Sequence, residues 1–164
     1  EIWTKDVPEY SGTYSSFSDI VGLPHPKQSP LPLWIGGESA PALRRTAKLG
    51  DGWYPIGYNP RFPLDTLGRF KTRLDALKGE AEKIDRDPAT ISLAYNSTWF
   101  NGPSDPVDVE GERRLFTGGV DEIKADIVAL QELGVSSLLF RFTRATMSET
   151  EDAQSSFADT FIAS

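Results

Sequence analysis

From Leu31 to Phe142 the chain alternates short apolar runs with stretches of helical periodicity, four times over. The run "LPLWIG" (31–36) leads into "SAPALRRTAKLG", where Ser39 stands as an N-cap, Pro41 falls in the first turn and Gly50 stops the helix. "GWYPI" (52–56) is a second apolar run; after the turn-rich "GYNPRFP", Leu67, Phe70, Leu74, Leu77, Ala81 and Ile84 recur at steps of three and four. Pro88 disfavours helical backbone at Asp87, so "DRDPA" (85–89) ends that helix, and the β-branched and aromatic "TISLAYNSTWF" (90–100) reads as a third strand. The polar "NGPSDPVDVEGE" reads as a loop. "TGGVDEIKADIVALQELG" sets Ile123, Ile127, Leu130 and Leu133 on one helix face with Gly134 as its stop, and "VSSLLFRF" (135–142) is a fourth strand. Phe157, Phe161 and Ile162 space a closing helix.

Strands that alternate with helices make a parallel sheet covered by those helices. Two α/β architectures satisfy the pattern. A doubly wound sheet is complete at this size, whereas a (β/α)8 barrel takes about 250 residues, so 164 residues supply half of one. The start of the chain favours the half barrel. "EIWTKD" (1–6) looks like the last turn of a helix, and the proline-rich stretch at 7–32 has no helical periodicity and no reason to exist in a minimal sheet. The expected organisation is one domain over 1–164, with a long loop at 7–32 and strand–helix units over 33–164.

Charge and composition exclude several partners. A net charge of −7 and a pI near 4.7 give no basic face for nucleic acid or an anionic membrane surface. No window approaches the roughly 20 apolar residues of a membrane span, and "EIWTKDVPEY" lacks the basic and apolar regions of a signal peptide. The absence of cysteine removes disulfides, thiolate metal sites and thiol nucleophiles, and makes a cytoplasmic address the expectation.

The glycine pair Gly36–Gly37, set between the first strand and its helix, is the main candidate site. A helix N-terminus exposes unpaired N–H groups and the positive end of the helix dipole, which suits a phosphate. Glycine lets the backbone approach such an anion without a Cβ in the way. The structural alternative is that the pair only turns the corner and that Ser39 only caps the helix. In "GDGWYP", Gly50 and Gly52 bracket a turn in which Asp51 meets backbone donors. Trp53 and Tyr54 then point to opposite faces of the strand.

The run "YSGTYSSF", the spaced prolines after it and "PLWIGGESAPALRRTAKLGDGWYP" together resemble the segment around the fifth strand of the bacterial-luciferase-like monooxygenase superfamily, in its deazaflavin (coenzyme F-420)-dependent oxidoreductase branch. "FTGGVDEIKADIVALQELGVSSLLF" is similar to that family's seventh helix and eighth strand. The resemblance implies the C-terminal half of a (β/α)8 barrel that binds FMN or coenzyme F-420 at the C-terminal ends of its strands. It implies that the backbone at Gly36, Gly37, Glu38 and Ser39 holds the cofactor's phosphate, with the Ser39 hydroxyl as a further donor and the Glu38 side chain pointing away. Tyr54, Pro55 and Ile56 would line the ribityl chain and ring, and Trp53 would be core. The implied activity is that of an oxidoreductase or monooxygenase acting on a small organic substrate. No residue qualifies as a catalytic acid or base. Open sheet edges call for a homodimer or for a longer parent chain. The competing reading is a catalytically incomplete or cofactor-free interaction module.

Five further residues carry less weight. His25, in "LPHPK", reads as a surface histidine with no metal site around it. Arg44 and Arg45 read as solvated helix residues. Arg141 and Arg144 follow the last strand at the barrel's C-terminal rim, where the resemblance implies that basic residues meet cofactor phosphates and anionic tails; the alternative is that Arg141 pairs with a carboxylate.

Overall fold

Strand β3 (Trp34–Gly36) pairs in parallel with β4 (Gly52–Tyr54), β4 with β5 (Ser92–Trp99), and β5 with β8 (Val135–Arg141), giving a four-stranded sheet in the order β3-β4-β5-β8. The computed structural model describes residues 1–162, and of Trp99 the backbone alone; it divides the chain into two units, Glu1–Pro32 and Leu33–Ser164. In the first unit the Glu1 carbonyl accepts from the Thr4 and Lys5 N–H groups, both at 3.1 Å, closing a single turn. The stretch read as loop contains a small antiparallel pair, β1 (Tyr10–Ser11) and β2 (Ser16–Phe17), with the Tyr10 and Phe17 rings 5.8 Å apart.

In the second unit each main strand is followed by a helix: α1 (Ala40–Leu49), α2 (Leu67–Glu82), α3 (Val120–Glu132) and α4 (Met147–Phe161). Four consecutive parallel strand–helix units of this kind are half of a (β/α)8 barrel. The helices cover one face of the sheet, because Trp53, Leu93 and Tyr95 alternate onto that face and meet the apolar stripes of the helices. Trp53 is fully buried and stacks on Phe70 of α2, their rings 5.8 Å apart and 13° from parallel; Phe70 in turn meets Tyr95 edge-on. Leu43, Ala47, Leu74, Leu77, Ile123 and Leu130 complete that layer. Phe100 gathers Phe140, Phe142, Phe157 and Phe161 around it, which docks α4.

The opposite face carries Trp34, Gly36, Tyr54, Asn96, Leu139 and Arg141, and it is open. Trp34 is 44% exposed there, lying against Gly52, where any Cβ would come within 2.4 Å of its ring. In a closed barrel this face is the packed interior.

Three local outcomes differ from the reading of the sequence. The first strand begins only at Trp34, and Asp51 holds its approach by accepting from the Leu33 N–H at 2.8 Å. The second strand ends at Tyr54 because Pro55 has no N–H for the ladder, although Ile56 rejoins it as a bridge to Asn96. The polar loop holds a hairpin, β6 (Asp108–Val109) and β7 (Glu112–Arg113), turned by Glu110 and Gly111 at φ 55° and 84°. The hairpin is fastened from a distance. Arg113 grips the buried Asp126 of α3 through both guanidinium nitrogens, and Asp126 also accepts from the Phe116 N–H at 2.7 Å.

Candidate functional site

Gly36 and Tyr54 are register partners at the C-terminal ends of β3 and β4, so the glycine turn and the aromatic residue expected near it share one rim of the sheet. The two glycines answer different needs. Gly37 has φ +101°, a conformation that side chains rarely adopt, and a Cβ there would sit 3.1 Å from the Cβ of Ala42. Gly36 has no such backbone; a Cβ would meet only the Tyr54 carbonyl, at 3.4 Å, so its missing side chain leaves room on the open face. Trp53 fixes the turn from beneath, its indole Nε1 donating to the Gly37 carbonyl at 2.9 Å.

Ser39 is the N-cap of α1, with extended backbone and Oγ accepting from the Ala42 N–H at 3.4 Å. Its own hydroxyl proton is left to donate. Glu38 is 3% exposed, and its carboxylate turns into the loop after β4, where Oε1 accepts from the Ile56 N–H at 2.7 Å and Oε2 from the Asn59 side-chain amide. The acid beside the helix start is thus tied to a different loop.

The other helices treat their N-termini differently. Glu112 accepts from the Gly68 N–H in the first turn of α2, Glu122 from the Gly119 N–H at the start of α3, and Glu149 from the Thr146 N–H at the start of α4. Among the described residues, α1 is the helix whose first turn no carboxylate meets. Its N–H groups and dipole face the open rim beside Gly36.

Tyr54 is half-buried, and its phenol accepts from the Asn96 side-chain amide at 3.3 Å. Pro55 is buried, its carbonyl accepting from the Asn96 N–H at 3.1 Å, and Ile56 is 40% exposed. At the ends of β4, β5 and β8, Tyr54, Asn96, Thr98, Leu139 and Arg141 line a cleft of about 180 Å³. Thr98 holds φ 70°, a rare value for a β-branched residue, and its buried hydroxyl has no partner among the described residues. A second cleft of about 340 Å³ opens between the loops after β4 and β5, lined by Tyr58, Tyr95, Ser104, Arg114 and Thr117 among others. Tyr95 donates to the Leu64 carbonyl at 2.8 Å; burial, with Asp65 and Asp126 nearby, pushes its phenol well above the ordinary range.

The two arginines expected after the last strand separate, and Arg141 is itself the final residue of β8. Arg144 gives its guanidinium to the carbonyls of Phe142, Thr143 and Phe100 at 2.9–3.2 Å, a structural clasp. Arg141 is exposed on the open face and makes no ion pair among the described residues. Arg44 and Arg45 are exposed on α1, and His25, in the first unit, lies 3.4 Å from Asp6. Among the described residues no cluster of His, Asp and Glu could hold a metal ion, and no helix is long and apolar enough to cross a membrane. Asn59, Asn96 and Thr98 escaped the sequence reading. Asn59 shows there only as part of an Asn-Pro turn signal, and nothing local marks Thr98.

The family model described as luciferase-like monooxygenase matches residues 1–107. Uncharacterized proteins of Mycobacterium tuberculosis and Mycobacterium bovis are 32% identical to the chain over 121 residues, which are 73% of this chain and 36% of theirs. Among solved structures, an F-420-dependent secondary alcohol dehydrogenase in complex with an F-420–acetone adduct superposes with a TM-score of 0.65 at 13% identity, over 97% of this chain and 56% of that one. The coenzyme F-420-dependent tetrahydromethanopterin reductase of Methanopyrus kandleri gives 0.65 at 13% identity, over 94% and 57%. The EDTA monooxygenase of Chelativorans sp. BNC1 gives 0.62 at 12% identity, over 96% and 49%. The chain therefore spans about a third of the length of these curated relatives and about half that of these structures.

Proposed function

Since the chain belongs to the luciferase-like monooxygenase family, we propose that it is the cofactor-phosphate-binding half of a flavin- or deazaflavin-dependent oxidoreductase acting on a small organic substrate. The observation that carries this reading is the start of α1, whose first-turn N–H groups meet no carboxylate among the described residues while the adjacent Glu38 is bonded to Ile56 and Asn59. The residues fit a phosphate. Gly36 leaves room over the rim, Gly37 turns the backbone, Ser39 keeps a hydroxyl proton to donate, and the helix dipole favours negative charge.

FMN or coenzyme F-420 would be held there by the main chain at Gly37, Glu38 and Ser39, and when bound supplies the hydride chemistry of the reaction. The names of two of the similar structures speak for F-420; nothing in these residues separates it from FMN. The chain's own contribution is placement. Glu38 ties the phosphate turn to the loop carrying Ile56, and Asn96 holds Tyr54 on the open face where a ring system would lie. Pro55 supports that loop from within, and its carbonyl fixes Asn96.

The open edges of β3 and β8 and the exposed inner face point to completion by further strand–helix units, either in a longer chain or in a second copy of this one. A cytoplasmic protein with no nucleic-acid or membrane partner fits the net charge of −7. Gel filtration separates the two routes to completion: a clean, soluble monomer would count against the homodimer. The cofactor reading is tested by titrating the protein with FMN and with coenzyme F-420, and the expected result is quenching or a spectral shift with one of them. Silence with both at high micromolar concentration would leave the interaction-module reading in its place.

A further inference from the structure

The cleft at the ends of β4, β5 and β8 has a chemistry that the phosphate site does not use. The residues that line it, Tyr54, Asn96, Thr98, Leu139, Phe140 and Arg141, include no carboxylate, in a chain that carries 24 acidic residues. Arg141 has no ion-pair partner among the described residues, and an arginine fork is suited to two-point recognition of planar oxyanions.

The polar groups around it are oriented by one another. The Thr98 N–H donates to the Asn96 side-chain carbonyl at 2.8 Å, which turns the Asn96 amide nitrogen toward the Tyr54 phenol at 3.3 Å. Tyr54 therefore accepts within the protein and retains its own proton for a ligand. The backbone that makes this possible is costly: β5 shifts register between Asn96 and Thr98, and Thr98 sits at φ 70° with a buried hydroxyl that has no partner among the described residues. Strain of this kind persists where the surroundings enforce it, and it collects at functional sites.

We propose that Arg141 and Tyr54, with Asn96 positioning the tyrosine, form a subsite for an oxyanion carried by the substrate, a carboxylate or a phosphate monoester, against the apolar wall of Leu139. The assignment rests on the oxidoreductase reading for the word substrate. It does not rest on the cofactor phosphate: Tyr54 stands beside Gly36, but Arg141 lies on β8, three strand spacings or about 14 Å from β3 across the sheet.

The test is a ¹⁵N NMR titration of the chain with benzoate, phenyl phosphate and the neutral benzyl alcohol. Benzoate or phenyl phosphate should move the amides of Tyr54, Asn96, Thr98 and Arg141, the tighter of the two naming the class, while benzyl alcohol should not. Arg141→Gln should weaken that binding about tenfold and Tyr54→Phe by a smaller factor, in proteins whose remaining spectrum is unchanged. Equal binding of benzyl alcohol, shifts confined to other residues, or an Arg141→Gln protein that binds within twofold of the parent would each overturn the proposal. FMN added to the benzoate-saturated protein separates the two readings. Displacement of benzoate would give the cleft to the cofactor and overturn the subsite. Benzoate binding with no response to either FMN or coenzyme F-420 would leave the subsite standing and remove the cofactor site.

Discussion

The Trp53 indole donates to the Gly37 carbonyl at 2.9 Å, joining a fully buried core side chain to the one residue of the β3–α1 turn whose backbone requires glycine. The position of the β3–α1 turn is therefore set by the packing beneath it. Trp53→Phe keeps a ring against Phe70 but leaves the Gly37 carbonyl unpaired and a void beside it. The expected loss is about 2 kcal/mol in urea unfolding, against about 4 kcal/mol for Trp53→Ala. Equal stability of Trp53→Phe and the parent would mean that the hydrogen bond does not hold the turn.

The two glycines should respond differently to alanine. Gly37→Ala forces a side chain into φ +101° and against Ala42, and should cost about 1–2 kcal/mol. Gly36→Ala meets only the Tyr54 carbonyl at 3.4 Å and should stay within about 0.5 kcal/mol of the parent. Thermal melts of the two single variants check the difference in one experiment.

Tyr95 gives the protein an alkaline limit. Its phenol is held protonated by burial and by the neighbouring Asp65 and Asp126, so the folded state keeps a proton that the unfolded chain releases near pH 10. Where the native state binds the extra proton, stability falls as pH rises. The Tyr95 contribution is complete below pH 10 and is lost above it. Melting temperatures from pH 8 to 11 should decline more steeply in the parent than in Tyr95→Phe, although that variant starts lower because the Leu64 carbonyl loses its donor. Parallel curves would contradict this.

What was legible in the sequence was governed by local rules. Ser39 as cap, Pro41 in the first turn, Gly50 at the stop and the outward–inward alternation of Trp53 and Tyr54 all follow from residues within a few positions of one another. Asp51 as a partner for backbone donors is another such case. The four strand–helix units needed only periodicity. What was missed depends on partners far along the chain. The β6–β7 hairpin hides behind a Glu-Gly turn and is fastened by Arg113 to Asp126 and by Glu112 to the start of α2. The exit of the Glu38 carboxylate from the helix start could be expected, but not its destination at Ile56 and Asn59. The strained Thr98 has no local signature, because its conformation is imposed by pairing between β5 and β8.

If the start of α1 binds the phosphate of FMN or coenzyme F-420, fluorescence titration of both cofactors against the parent and Gly36→Leu will show it. Leucine at Gly36 would fill the space over the rim without demanding a new backbone conformation. One cofactor should bind the parent, and Gly36→Leu should weaken that binding about tenfold or more at nearly unchanged melting temperature. Equal affinity in the two proteins would contradict it.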